Sequence, residues 1–151
     1  MEDTIKLRGC IEAVLKNADG EVIQHIKRDN IVVTAGRSWV LRQIASGHMV
    51  TSQAISHLAV GTSTTAPTTA NTALGSENAR KTCSFTTDGL TSSTPWWRAE
   101  VMFNTNEANT TLGEAGLFNS SSGGTMLARA TFATLNKATS NTLNVSYTIS
   151  N

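Results

Sequence analysis

The groups in this 151-residue chain with chemistry to offer are three histidines, a set of spaced carboxylates, two cysteines and an adjacent tryptophan pair. His25, His48 and His57 form neither an HxH nor an HxxxH pair, and no cysteine stands near them at ligand spacing. The spacing therefore predicts no metal site, and no cofactor is expected. Glu100, Glu107 and Glu114 fall on or between candidate strands. Two carboxylates flanking a sugar bond are the minimum for glycoside hydrolysis. Exposed charges plus one paired carboxylate are the simpler reading. Serines abound, yet no G-x-S-x-G elbow occurs. Ser121-Ser122-Gly123-Gly124 has turn composition and lacks the lysine and following helix of a phosphate loop. Cys10 and Cys83 read as two buried or half-buried thiols, not a disulfide framework. The expectation is a protein that is not an enzyme.

Trp96 and Trp97 are adjacent, so on a strand they point to opposite faces. One fits a core. The other is either covered within the fold or exposed as an interface or a sugar-stacking platform. Glu114 stands in an otherwise apolar stretch before Gly116-Leu117-Phe118. If buried it needs a partner: Arg98, Arg129 or a backbone turn. Its role is read as structural.

The elements that would position these groups are mostly strands. Ile5, Leu7, Gly9, Ile11, Ala13 and Leu15 alternate with Lys6, Arg8, Cys10, Glu12 and Val14, the period of a half-buried strand. Asn17-Ala18-Asp19-Gly20 supplies a turn, and a β-hairpin is expected over residues 5–27. Asn30 to Val33 is a short extended piece, after which Thr34 can cap a helix over residues 35–46. Its apolar stripe is Val40, Leu41, Ile44 and Ala45, with Arg37, Arg42 and Gln43 outward and Gly47 as a stop. The helix is expected to plug an open side of a sheet. Ile55 to Val60 reads as a strand, and residues 78–86 as one returning strand. Between them residues 61–74 form a Thr-rich stretch without apolar period, a long loop that is either functional or a solvated connection. Trp97, Ala99, Val101 and Phe103 share a face. So do Met126, Ala128, Ala130 and Phe132, and then Leu143, Val145, Tyr147 and Ile149. Many short strands with turns between them predict one all-β domain over residues 1–151, an antiparallel β-sandwich or jelly-roll-like barrel with one short helix.

Charged residues make up only 15% of the chain, below the roughly 25% of typical soluble domains, and Thr, Ser and Asn fill the gap. The net charge of +1 provides no basic field for nucleic acid. The acidic start Met1-Glu2-Asp3-Thr4 does not read as a signal peptide, and no apolar run approaches the roughly 20 residues of a membrane helix. No nucleic-acid or membrane partner is expected, and synthesis in the cytoplasm is.

Three blocks carry a resemblance: DNIVVTAGRSWVLRQIASG at 29–47, ISHLAVGTSTTAPTTANTALGSENAR at 55–80, and GEAGLFNSSSGGTMLARATF at 113–132, followed by the closing TLNVSYTI. In series they resemble small virion structural proteins of tailed bacteriophages, tail-fibre-like or capsid decoration-like. The resemblance implies a non-enzymatic component of the virion exterior, made in the host cytoplasm and homo-oligomeric, with a trimer as the expected assembly. Its partners would be the major capsid protein or tail proteins. The chain has no heptads and no repeated shaft, which favours a capsid decoration (cement) protein over a tail-fibre or baseplate-associated part in host attachment. The candidate interface residues are Trp96, Trp97, Thr64, Thr65 and Pro67. A glycan-binding module using Trp96 or Trp97 is a further reading.

Overall fold

Period-two alternation settles the first element. From Arg8 to Lys16, Gly9, Ile11, Ala13 and Leu15 are buried while the residues between them are half-buried. The computed structural model describes residues 6–45 and 54–151. Its elements in chain order are β1 (Arg8–Lys16), β2 (Val22–Asp29), β3 (Ile31–Val32), α1 (Thr34–Ala45), β4 (His57–Gly61), β5 (Glu77–Thr82), β6 (Ser84–Thr86), β7 (Trp96–Phe103), β8 (Thr111–Phe118), β9 (Met126–Asn136) and β10 (Thr142–Ser150). A 3-10 turn, Asp88–Thr91, precedes β7.

The strands form two five-stranded sheets, β2-β1-β10-β7-β6 and β3-β9-β8-β4-β5. Every pairing is antiparallel. Their facing residues form one core that includes Ile11, Leu15, Leu58, Val60, Val101, Phe103, Leu117, Phe132, Leu143 and Val145. Burying a side chain of this size contributes about 1.5–3 kcal/mol. Tyr147 on β10 spans the core and donates its hydroxyl to the Ala115 carbonyl of β8 at 2.7 Å. Complete burial pushes that phenol far above its ordinary value. This is the expected all-β sandwich.

The hairpin follows the sequence reading, with Gly20 in the left-handed region at φ 82° closing its turn. It runs on to Asp29, and Ile5 lies outside the described residues. The expected strand at 78–86 is two strands. The chain leaves one sheet at Thr82 and enters the other at Ser84, with Cys83 at the corner, its amide donating to the Ser56 carbonyl at 2.8 Å. Asn30 makes the matching corner between β2 and β3, its amide donating to the Gly9 carbonyl at 2.9 Å. Each side of the sandwich is thus crossed by continuous chain.

The helix starts at Thr34 and holds its predicted span to within a residue, but not its predicted face. Leu41 is 66% and Ile44 71% exposed, so of the Val40/Leu41/Ile44/Ala45 stripe only Val40 packs against the core, together with Trp39. Gly36 is buried instead, where a Cβ would stand 2.7 Å from Leu127 Cα of β9. The missing side chain lets the helix backbone approach the sheet closely, and Ala35, Trp39 and Val40 pack beside it. Gly47 and His48 lie outside the described residues. No helix among the described residues is long and apolar enough to cross a membrane.

Candidate functional site

β8 is buried on both faces from Leu112 to Phe118, and β9 from Met126 to Ala130. Their inner face meets the core. A second apolar cluster lies beyond: Val33, Ala59, Leu74, Phe118 and Met126, with Ala35 of α1 against it. The helix and the Thr-rich loop between β4 and β5 therefore act as a third layer over this sheet.

That loop contributes one buried apolar side chain, Leu74, to the layer. Polar pins hold the rest. Glu114 on β8 is completely buried, and Arg129 on β9 is 2% exposed. Glu114 Oε2 accepts from Arg129 Nε at 2.9 Å and Nη2 at 2.8 Å, and from the Gly75 amide at 2.9 Å. Oε1 accepts from the Ser76 amide at 2.7 Å and the Ser63 amide at 3.4 Å. The remaining guanidinium donors reach Asn71 Oδ1 at 2.9 Å and the Thr65 carbonyl at 3.2 Å. Asn71 Oδ1 also accepts from the Thr68 amide at 2.7 Å. The Thr34 amide, where the helix begins, donates to the Thr69 carbonyl at 2.8 Å. Both ends and the middle of the loop are thus tied to one buried ion pair. Gly61 leaves room for it, since a Cβ there would lie 2.6 Å from Glu114 Oε1.

The sequence reading left Glu114 with Arg98, Arg129 or a backbone turn as partner. The structure gives it Arg129 and the backbone together. It also answers whether this loop is a loose solvated connection: it is fastened from within. Its interface candidates Thr64 and Thr65 are exposed and Pro67 half-buried. The Thr64 methyl leans over Gly113, whose Cβ would come within 2.8 Å of it.

Trp96 and Trp97 lie in the other sheet, on β7. Trp97 packs at the edge of the core, its ring centroid 6.1 Å from that of Phe85. Trp96 is covered by the 3-10 turn at Gly89, which has no room for a Cβ, and Arg98 stands 5.9 Å from its ring. Both indoles are half-buried, so neither is a free flat platform, and the structure does not join them to the loop residues in one patch.

The carboxylates are not brought together either. Glu100 accepts from Asn144 Nδ2 at 2.7 Å. Glu107 binds Lys81 Nζ at 2.8 Å and the Asn104 amide at 2.7 Å, which hold its carboxyl below the ordinary range. His57 contacts Ser56 Oγ at 2.8 Å and Thr82 Oγ1 at 3.3 Å, and burial followed by the Arg80 charge lowers its pKa. His25 pairs with Glu12 at 2.7 Å. Cys10 and Cys83 are half-buried free thiols, and burial pushes Cys83 up to about 12. Among the described residues no group of three or more His, Cys, Asp or Glu is placed to hold a metal. No protein-family model matches this chain, and neither does any curated protein or solved structure.

Proposed function

We propose that this chain is a structural protein of the bacteriophage virion exterior, a decoration subunit that cements neighbouring capsid proteins, and that the clasped loop at 62–76 is its contact surface. The observation behind this reading is the Glu114–Arg129 pair. It orders a long polar loop before any partner arrives, while Thr64, Thr65 and Thr68 remain exposed. Ordering a loop at an interface costs about 0.5–1.5 kcal/mol per immobilised side chain, so a loop already fixed binds with less loss. Many symmetric copies would then add modest contacts into a strong lattice. Three copies of this chain around one axis is the proposed assembly, with the major capsid protein as partner.

The test is the copy number of the chain in purified particles, by quantitative mass spectrometry against the major capsid protein. A ratio near one to one supports cementing. A few copies per particle would move the chain to the tail and to host attachment, and absence from particles would end the virion reading. A Thr64→Glu/Thr65→Glu variant that folds normally should lose head binding; unchanged binding would remove the loop as the contact surface.

A further inference from the structure

A second polar cluster sits at the far end of β9 and has no part in the loop clasp. Lys137, just past that strand, is 1% exposed. Its ammonium donates to two neutral oxygens, the Asn104 carbonyl at 2.7 Å and Asn109 Oδ1 at 2.8 Å. A buried ammonium without a carboxylate in contact is expensive to keep charged. The turn that supplies both oxygens, residues 104–110 between β7 and β8, is itself strained. Ala108 has φ 53°, and it is the one non-glycine residue with positive φ among the described residues. That conformation is unfavourable for an L-residue, and such strain clusters where a chain must aim a neighbouring group. The neighbour here is Asn109. Its Nδ2 donates to the Thr105 carbonyl at 2.8 Å, which turns the amide oxygen toward Lys137. The Lys137 amide donates to the Thr110 carbonyl at 3.1 Å, fixing the strand end against the turn.

We propose that the side chains of Lys137 and Asn109 join in an intramolecular isopeptide bond after the chain folds. The Lys137 ammonium first loses a proton to water at the exposed turn; Glu107 acts on it only through its charge, both its oxygens being held by Lys81 Nζ and one also by the Asn104 amide. The neutral Nζ then attacks Asn109 Cγ, the usual route by which a desolvated lysine acts as nucleophile. The new Nζ–Cγ bond forms as the Cγ–Nδ2 bond breaks. Nδ2 leaves as ammonia with the second amine proton, and takes up from water the proton released in the first step to give ammonium. Atoms and charge balance without oxidant or cofactor. Burial lowers the Lys137 pKa and so favours the amine the step requires. The crosslink ties the β7–β8 turn to the end of β9, and it stands whether or not the virion reading does.

Intact-mass spectrometry of the purified full chain under denaturing conditions tests it. The expected mass falls short of the sequence, after any loss of Met1, by one ammonia. Tryptic digestion should give a branched peptide in which the segment holding Asn109 is joined at Lys137, where trypsin then fails to cut. Lys137→Arg and Asn109→Ala should each show the full mass of their own sequence. Asn109 is exposed, so that variant keeps the test intact if Lys137→Arg folds poorly. Full sequence mass in the wild-type chain overturns the proposal. So does an ammonia loss that persists in Lys137→Arg, because it would then be a cyclic imide of an asparagine and not a crosslink.

Discussion

Replacing Arg129 with methionine should destabilise the fold far more than an ordinary charge deletion. The substitution leaves the Glu114 carboxylate fully buried with only backbone amides for company. Removing one partner of a buried pair costs about 3–5 kcal/mol. Domains of this size unfold with a total of about 5–15 kcal/mol, so the loss is a large share. Each kcal/mol shifts Tm by about 2–4 °C at this length, which gives a drop of roughly 6–20 °C. Urea unfolding followed by fluorescence or circular dichroism measures the loss directly. Amide exchange adds the local readout. The Gly75 and Ser76 amides bond to Glu114 and should lose protection before the core strands do. Glu114→Gln keeps the shape and removes the charge. Combined with Arg129→Met, it should cost less than the two single losses added together, because the stranded carboxylate is gone. An Arg129→Met loss of about 1 kcal/mol or less, the size of an exposed ion pair, would refute the reasoning. So would strict additivity in the double variant.

Two further outcomes follow from the same geometry. Gly36→Ala places a Cβ against the Leu127 backbone and should cost about 1–3 kcal/mol as overpacking, despite the better helix propensity of alanine; a gain in urea midpoint would show that α1 does not make this close approach. His57 has a pKa held below its ordinary 6.5 by burial and Arg80, so the unfolded chain takes up its proton first. That stability contribution is complete above pH about 6.5 and disappears as the pH falls through the lower folded value. His57→Gln should flatten the stability–pH curve in that window while leaving the acid limb set by Glu107 in place; an unchanged curve would remove His57 as its source.

The fold was legible wherever burial is one-sided. β1, β7 and β10 each bury alternate residues against one core, and period two reveals them. Legibility ended where a second layer covers a strand. From Leu112 to Phe118 in β8 and from Met126 to Ala130 in β9 every residue is buried, so alternation says nothing about which face Glu114 or Arg129 occupies. The need of a buried Glu114 for a partner could be read from its apolar neighbours. The choice of Arg129 depends on a register that shifts between Leu112 and Glu114, which no local pattern records. The helix misled for a related reason. Hydrophobic patterning points to Leu41 and Ile44, but the helix rests on a close approach at Gly36 with Ala35, Trp39 and Val40 packed beside it. The corner at Cys83 was invisible because a strand that changes sheets keeps its extended backbone and its residue types. Lys137 and Asn109 gave no signal at all: one ends a strand and the other sits in a turn of small polar residues, and only the fold sets them 2.8 Å apart.

The clasp explains why a polar loop can serve as a layer of this protein. The outer face of β4, β8 and β9 must be covered, because Ala59, Phe118 and Met126 are apolar and lie there. A Thr-rich segment with one buried leucine cannot cover it by the hydrophobic effect alone. Its backbone amides would also be left without partners against the sheet, at about 1–3 kcal/mol for each one buried. A carboxylate with two free oxygens is the acceptor able to take several such amides at once, and a guanidinium is the donor able to satisfy the carboxylate while reaching loop oxygens on its other side. Burying that pair is costly in itself, so its return lies in specifying one loop conformation. The loop's short polar side chains are then free to face outward, and the surface they make is fixed by the sheet beneath it. If this is the purpose of the pair, an Arg129→Lys variant should unfold cooperatively but lose protection at Gly75 and Ser76. A single ammonium cannot reproduce the fork that binds Glu114, Asn71 and Thr65 together.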